Sequence, residues 1–136
     1  KAPVSFAAHD EMPYYQTPGL RVQLTYDDGT KTDTFLHPDA LLQKDKYTVF
    51  TGGNQPSLQV SSNAAGTERV LVLKDSYANC LLPYLATAFP EMSVLDLRYF
   101  LSYLKEYIQE HSITRILLCY NIDFLNTDNH FIYLNQ

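Results

Sequence analysis

The stretch that most constrains this chain is "RVLVL", residues 69–73, followed at once by Lys74-Asp75-Ser76. Five residues with no polar alternation suit a strand covered on both faces, which an edge hairpin cannot provide. Beyond Ser76, the residues Tyr77, Cys80, Leu81, Tyr84, Leu85 and Ala88 recur at spacings of three and four, the period of a helix packed through one stripe. Pro83 falls inside that helix and is expected to bend it, and Pro90 lies just past its end. A second strand is read over "SVLDLRY" (93–99), a second amphipathic helix from Phe100 to Glu110, and a third strand over "RILLCY" (115–120). This β-α-β-α-β order predicts parallel strands joined by right-handed crossovers.

The first half has a different texture. "LRVQLTY" (20–26) alternates, Asp28-Gly29 supplies a turn, and "TDTFLH" (32–37) follows, which predicts a β-hairpin. "PDALLQKDKY" (38–47) fits one or two helical turns with Pro38 in the first turn. "YTVF" (47–50) reads as a short strand ending in Gly52-Gly53-Asn54, and "SLQVSS" (57–62) as another. The expected fold is α/β: a parallel layer over 69–125 with a β-rich region over 1–62, in one domain of 136 residues.

Composition narrows the function classes. A formal charge of -5 with no basic run speaks against nucleic acid as partner. No run of 18 apolar residues offers a membrane span. Cys80 and Cys119 sit within apolar patterns and read as buried free thiols, so neither sets a redox compartment. No ligand spacing stands out for a metal, and no cofactor is expected; "DDG" at 27–29 lacks the rest of a calcium loop. Oligomeric state is not legible.

Three polar clusters fall at expected strand ends, where open α/β sheets gather their ligands: Asp75-Ser76, Arg98-Tyr99 and Tyr120-Asn121. Ser76 fits an exposed nucleophile at a strand-to-helix turn, with backbone N–H groups near a developing oxyanion. Taken locally, it fits better the commoner role of helix N-cap. Asn54, after two glycines, has a side chain suited to donate to an oxyanion, though Gly52-Gly53-Asn54 also suits an ordinary turn. Asn79 would share the first helical turn with Ser76. A serine nucleophile needs a base held by a third group. Of His9, His37, His111 and His130, only His130 has an acid nearby in an Asp-x-His arrangement, with Asp128. His111 suits the end of a helix.

In order, spacing and residue type, "DKYTVFTGGNQP" (45–56), "LVLKDSYANCLLPYL" (71–85) and "VLDLRYF" (94–100) resemble the C-terminal part of the bacterial DHHW family, and "LLCYNIDFL" (117–125) is compatible with it. The resemblance covers roughly residues 40 to 125. That family is similar to SGNH hydrolase-like proteins, including acetyltransferases that decorate alginate and other exopolysaccharides. The resemblance implies a flavodoxin-like layer, Ser76 as nucleophile, Gly53 and Asn54 near the oxyanion, and Asp75, Arg98 and Tyr99 lining the site. It also implies a polysaccharide or cell-wall glycan as partner and an extracellular or envelope location. One departure matters: the family's Asp-His-His-Trp motif, source of the acid and base, is missing, and the chain has no Trp. The expectation is therefore a C-terminal part of a longer protein, in which Ser76 works with a base from upstream. The rival expectation is a non-catalytic glycan-binding or scaffold module.

Overall fold

The computed structural model describes residues 17–127. Six strands form one sheet: β1 (Val22–Tyr26), β2 (Lys31–Thr32), β3 (Ser57–Ser62), β4 (Arg69–Lys74), β5 (Glu91–Leu95) and β6 (Arg115–Cys119), in the spatial order β2-β1-β3-β5-β4-β6. β4 pairs in parallel with β5 on one side and β6 on the other. The other three pairings, β1 with β2, β1 with β3 and β3 with β5, are antiparallel. The parallel order expected for the C-terminal half thus holds for three strands. It continues directly into the β-rich first half, and the sheet as a whole is mixed and mostly antiparallel.

The apolar run at 69–73 explains the core. Val70, Val72, Leu71 and Leu73 are each 0% exposed and alternate between two faces. Val70 and Val72 pack with Leu24, Leu58, Val60, Met92, Val94, Leu82 and Ala86. Leu71 and Leu73 pack with Leu95, Leu97 and Leu104 on the opposite face. Each such side chain contributes roughly 1.5–3 kcal/mol by leaving water, which fixes β4 as the central strand of the parallel group.

The hairpin forms where Asp28-Gly29 predicts it, with Leu24 opposite Thr32. Its second strand is only two residues long, and Leu36 instead bridges to Phe50. Pro38 opens a 3₁₀ helix, Pro38–Leu42. "YTVF" is not a strand: Lys46–Val49 is a 3₁₀ turn capped by Asp45, whose carboxylate accepts the Tyr47 N–H at 3.1 Å. Thr48 Oγ1 donates to the Asp45 carbonyl at 2.6 Å. Such local side-chain bonds compete with a ladder and here they prevail.

The segment after Ser76 also departs from expectation. It runs as a 3₁₀ helix, Ser76–Leu81, into a single α turn, α1 (Leu82–Leu85). Pro83 lies in the first turn of α1, where a missing N–H costs nothing, so it starts a helix rather than bending one. The inward stripe is Ala78, Leu82 and Ala86, while Tyr77, Leu81 and Tyr84 are exposed. Small residues let the backbone lie close to the sheet, and the large aromatic ones turn outward. The second crossover holds α2 (Leu104–Glu110), shorter than expected, with His111 at its C-cap. α3 (Ile122–Thr127) follows β6. Among the described residues no helix is long and apolar enough to cross a membrane. Cys80 and Cys119 are free thiols, half-buried rather than buried, and burial pushes the Cys119 thiol up from its ordinary pKa.

Candidate active site

The ends of β4 and β5 and the turn before β3 meet at Ser76. β4 ends at Lys74, and Asp75 turns the chain. The cap of the following 3₁₀ helix is Asp75, not Ser76: its Oδ1 accepts the Tyr77 N–H at 2.9 Å. Its Oδ2 accepts the Asn121 N–H at 2.7 Å, and its own N–H donates to the Cys119 carbonyl at 3.3 Å. Asp75 is 2% exposed and clamps the ends of β4 and β6 together. With the cap assigned to its neighbour, Ser76 is left with a side chain that serves no cap.

The Ser76 hydroxyl receives two hydrogen bonds, from Asn54 Nδ2 at 2.9 Å and from Arg98 Nη2 at 2.8 Å. Asn54 comes from a turn in which Thr51, Gly52 and Gly53 have φ of 58, 68 and 103°. Three successive left-handed residues need glycine at most positions. The Gly53 N–H donates to the Phe50 carbonyl at 3.1 Å, so this amide closes the turn and positions Asn54. Asn79, 1% exposed, donates through Nδ2 to Asn54 Oδ1 at 3.3 Å and orients that amide. Tyr47 ties the same loop to the 3₁₀ helix by donating to the Tyr77 carbonyl at 2.8 Å.

Arg98 is not on a strand, because β5 ends at Leu95. Asp96 stops it: its backbone carbonyl accepts the N–H groups of Tyr99 and Phe100, each at 2.9 Å. The Asp96 carboxylate, 1% exposed, accepts Arg98 Nε at 2.8 Å and Nη2 at 2.6 Å. The guanidinium lies 5.3 Å from the ring centres of both Tyr99 and Phe124. The Asp96 pairing raises the Arg98 pKa further above its ordinary value. Lys74 is 3% exposed with Nζ 3.6 Å from Asp96 Oδ2, and burial lowers its pKa from the ordinary value.

The structure therefore brings Ser76, Asn54, Asn79 and Arg98 into one connected network. Tyr99 stands beside it through Arg98, and Asp75 supports it from below. Sequence reasoning missed Asp96 and Lys74. Lys74 shows only as a charged residue closing an apolar run, a weak signal, and Asp96 falls inside the run read as a strand. His37 pairs its Nε2 with Tyr26 OH at 2.8 Å, and His111 stacks on Tyr107 with ring centres 4.1 Å apart. Neither hydrogen-bonds Ser76. His9, His130 and Asp128 lie outside the described residues. No group of three His, Cys, Asp or Glu side chains that could hold a metal occurs among the described residues.

This mixed sheet is shared with part of a solved protein of the DHHW family, the family that the sequence segments resemble. The chain is similar to a DHHW family protein from Eubacterium siraeum, with a TM-score of 0.70 and 22% identity over 90% of this chain and 42% of that one. It is also similar to Bacillus cereus PatB1 carrying a sulfonyl adduct, with a TM-score of 0.71 and 27% identity over 88% of this chain and 43% of that one. A second PatB1 structure gives 0.66 and 29% over 81% and 38%. The chain thus spans less than half the length of these structures. No protein-family model and no curated protein matches the sequence.

Proposed function

We propose that this chain is the serine-bearing part of a cell-envelope acyltransferase-like module with an SGNH-like site, in which Ser76 attacks an ester on a glycan. The observation that carries this reading is the pair of donors on the Ser76 oxygen, Asn54 Nδ2 and Arg98 Nη2. Donors occupying both lone pairs favour a negatively charged oxygen over a neutral one, which makes the hydroxyl more acidic and stabilises charge developing there. A capping serine has no use for a guanidinium.

In the reaction, Ser76 Oγ forms a bond to the acyl carbon as its proton passes to a base, and the ester C–O bond breaks as the alcohol leaves with that proton. The acyl group then passes to a second hydroxyl, or to water. His37 and His111 are engaged elsewhere, so this reading takes its base from neither of them. The length of the similar structures supports a base on a further part of the protein. The sulfonyl adduct on PatB1 supports a nucleophile in this fold, because sulfonyl groups are captured by activated nucleophiles. Exposed Tyr77, next to Ser76, and Tyr99, next to Arg98, offer rings on which a sugar can stack.

The test is covalent labelling of the complete protein with phenylmethylsulfonyl fluoride, read by intact mass and peptide mapping. One adduct on Ser76 is expected, with none in Ser76→Ala, and hydrolysis of p-nitrophenyl acetate should disappear in the same variant. Undiminished turnover in folded Ser76→Ala would falsify the assignment. Glycan binding that survives in that variant while the native protein shows no turnover would favour the binding-module reading.

A further inference from the structure

A carboxylate that is 1% exposed must be compensated by partners, and the partners of Asp96 show what it is for. Its Oδ1 accepts the Arg98 backbone N–H at 3.2 Å and Nε at 2.8 Å, and its Oδ2 accepts Nη2 at 2.6 Å. Lys74 Nζ, 3.6 Å from Oδ2, has no hydrogen-bond acceptor among the described residues, so the short bonds of Asp96 all go to Arg98. The guanidinium is planar and its two N–H bonds at Nη2 diverge at a fixed angle. One of them is held by Asp96 Oδ2, so the other is aimed, and it reaches Ser76 Oγ at 2.8 Å. The ring centres of Tyr99 and Phe124 each lie 5.3 Å from the guanidinium and add a second contact to the Asp96 pairing.

We propose that Asp96 is a positioning residue that acts through Arg98: its two-pronged pairing holds Arg98 Nη2 on the Ser76 oxygen and so sets the acidity of that hydroxyl. The functional half of this inference rests on Ser76 being the nucleophile; the geometric half does not. A purely structural role makes a different demand. The turn after β5 uses the Asp96 carbonyl and Oδ1, and an asparagine supplies both. What asparagine cannot do is accept Nη2–H through its second atom, which becomes an N–H donor facing a donor.

The experiment compares the complete native protein with Asp96→Asn and Asp96→Glu. Three readouts are taken: thermal unfolding, the pH dependence of phenylmethylsulfonyl fluoride labelling at Ser76, and the Arg98 Nε–H signal in a proton–nitrogen spectrum. Asp96→Asn is expected to stay folded and to be labelled about tenfold or more slowly, as for loss of an oriented donor. Its pH midpoint should shift and the protected Arg98 signal should be lost, while Asp96→Glu recovers part of the rate. Labelling of folded Asp96→Asn at the native rate and midpoint overturns the proposal. If native Ser76 takes no label, the nucleophile reading fails by itself and the spectrum decides the positioning: an Arg98 signal unchanged in Asp96→Asn overturns it, and its loss supports it. Should Asp96→Asn fail to fold, Arg98→Lys keeps the charge without the fork, and native-rate labelling there is equally fatal.

Discussion

Asp75 and Ser76 are adjacent, and only their bonds separate their roles. Asp75 accepts from the Tyr77 and Asn121 N–H groups, two bonds that are both partly buried. Asp75→Ala is therefore expected to cost about 2–3 kcal/mol, the sum of a lost cap and a lost charged bond. Ser76→Ala should cost less than about 1 kcal/mol, since neither Arg98, with a side chain 23% exposed, nor exposed Asn54 is buried, and water can take the hydroxyl's place on both. Urea unfolding of the two variants tests the contrast; equal losses would return the cap to Ser76. The pair itself was visible in the sequence, as were Asn54, Asn79 and Arg98. The division of labour was not, because Asp and Ser are nearly equal as caps and the choice depends on where Asn121 lies, 46 residues away. Asp96 was hidden for a related reason. The run 93–99 reads as one strand, and a residue placed mid-strand does not suggest a carboxylate that ends it.

Among elements, the central strands were the most legible part, whereas 47–50 is a 3₁₀ turn and the second hairpin strand is only Lys31–Thr32. β3 and β4 fall where alternation and a continuous apolar run place them, because burial on one face or two writes directly into residue type. The 3₁₀ segments were less legible. A period near three and one near 3.6 share their first contacts, and an inward stripe of Ala78, Leu82 and Ala86 is less bulky than the outward one of Tyr77, Leu81 and Tyr84. The ranking of two adjacent leucines follows from this. Leu82, 0% exposed, should cost about 2–5 kcal/mol when replaced by alanine, and Leu81, 47% exposed, within about 0.5–1 kcal/mol. Denaturant midpoints of Leu81→Ala and Leu82→Ala decide it, and a reversed order would mean that the stripe faces the other way. Pro83→Ala should not stabilise the protein, because its ring sits in a first turn that already suits it.

At the scale of the molecule, the site exists because one sheet joins both halves: Asn54 arrives from the turn before β3, Ser76 from the end of β4, and Arg98 from the turn after β5. Tyr47 is a further tie between these halves, since its hydroxyl donates to the Tyr77 carbonyl beside Ser76. Burial, with Cys80 beside it, holds the Tyr47 pKa well above the ordinary 10.0, and burial raises Tyr26 and Tyr107 as well. A phenol is neutral when protonated, so each folded-state pKa above the unfolded one means that the native state keeps more protons. Stability is then fully present below the unfolded pKa and falls as pH rises above it towards the folded value. Cys119 adds the same sign above its ordinary 9.0. Lys74, lowered from 10.5, has the opposite sign and gives stability that grows between its folded pKa and 10.5, but it is one group against four. Resistance to urea should therefore decline from about pH 9 and more steeply beyond about pH 10. Tyr47→Phe should lose about 1 kcal/mol at pH 7 through the missing bond, yet decline less on the alkaline side. Because the lost bond joins the Asn54 loop to the Ser76 segment, the same variant should also slow labelling of Ser76 at neutral pH. A native protein whose stability is flat from pH 9 to 11, or a Tyr47→Phe variant with the native alkaline slope, would show that this phenol does not couple the two halves.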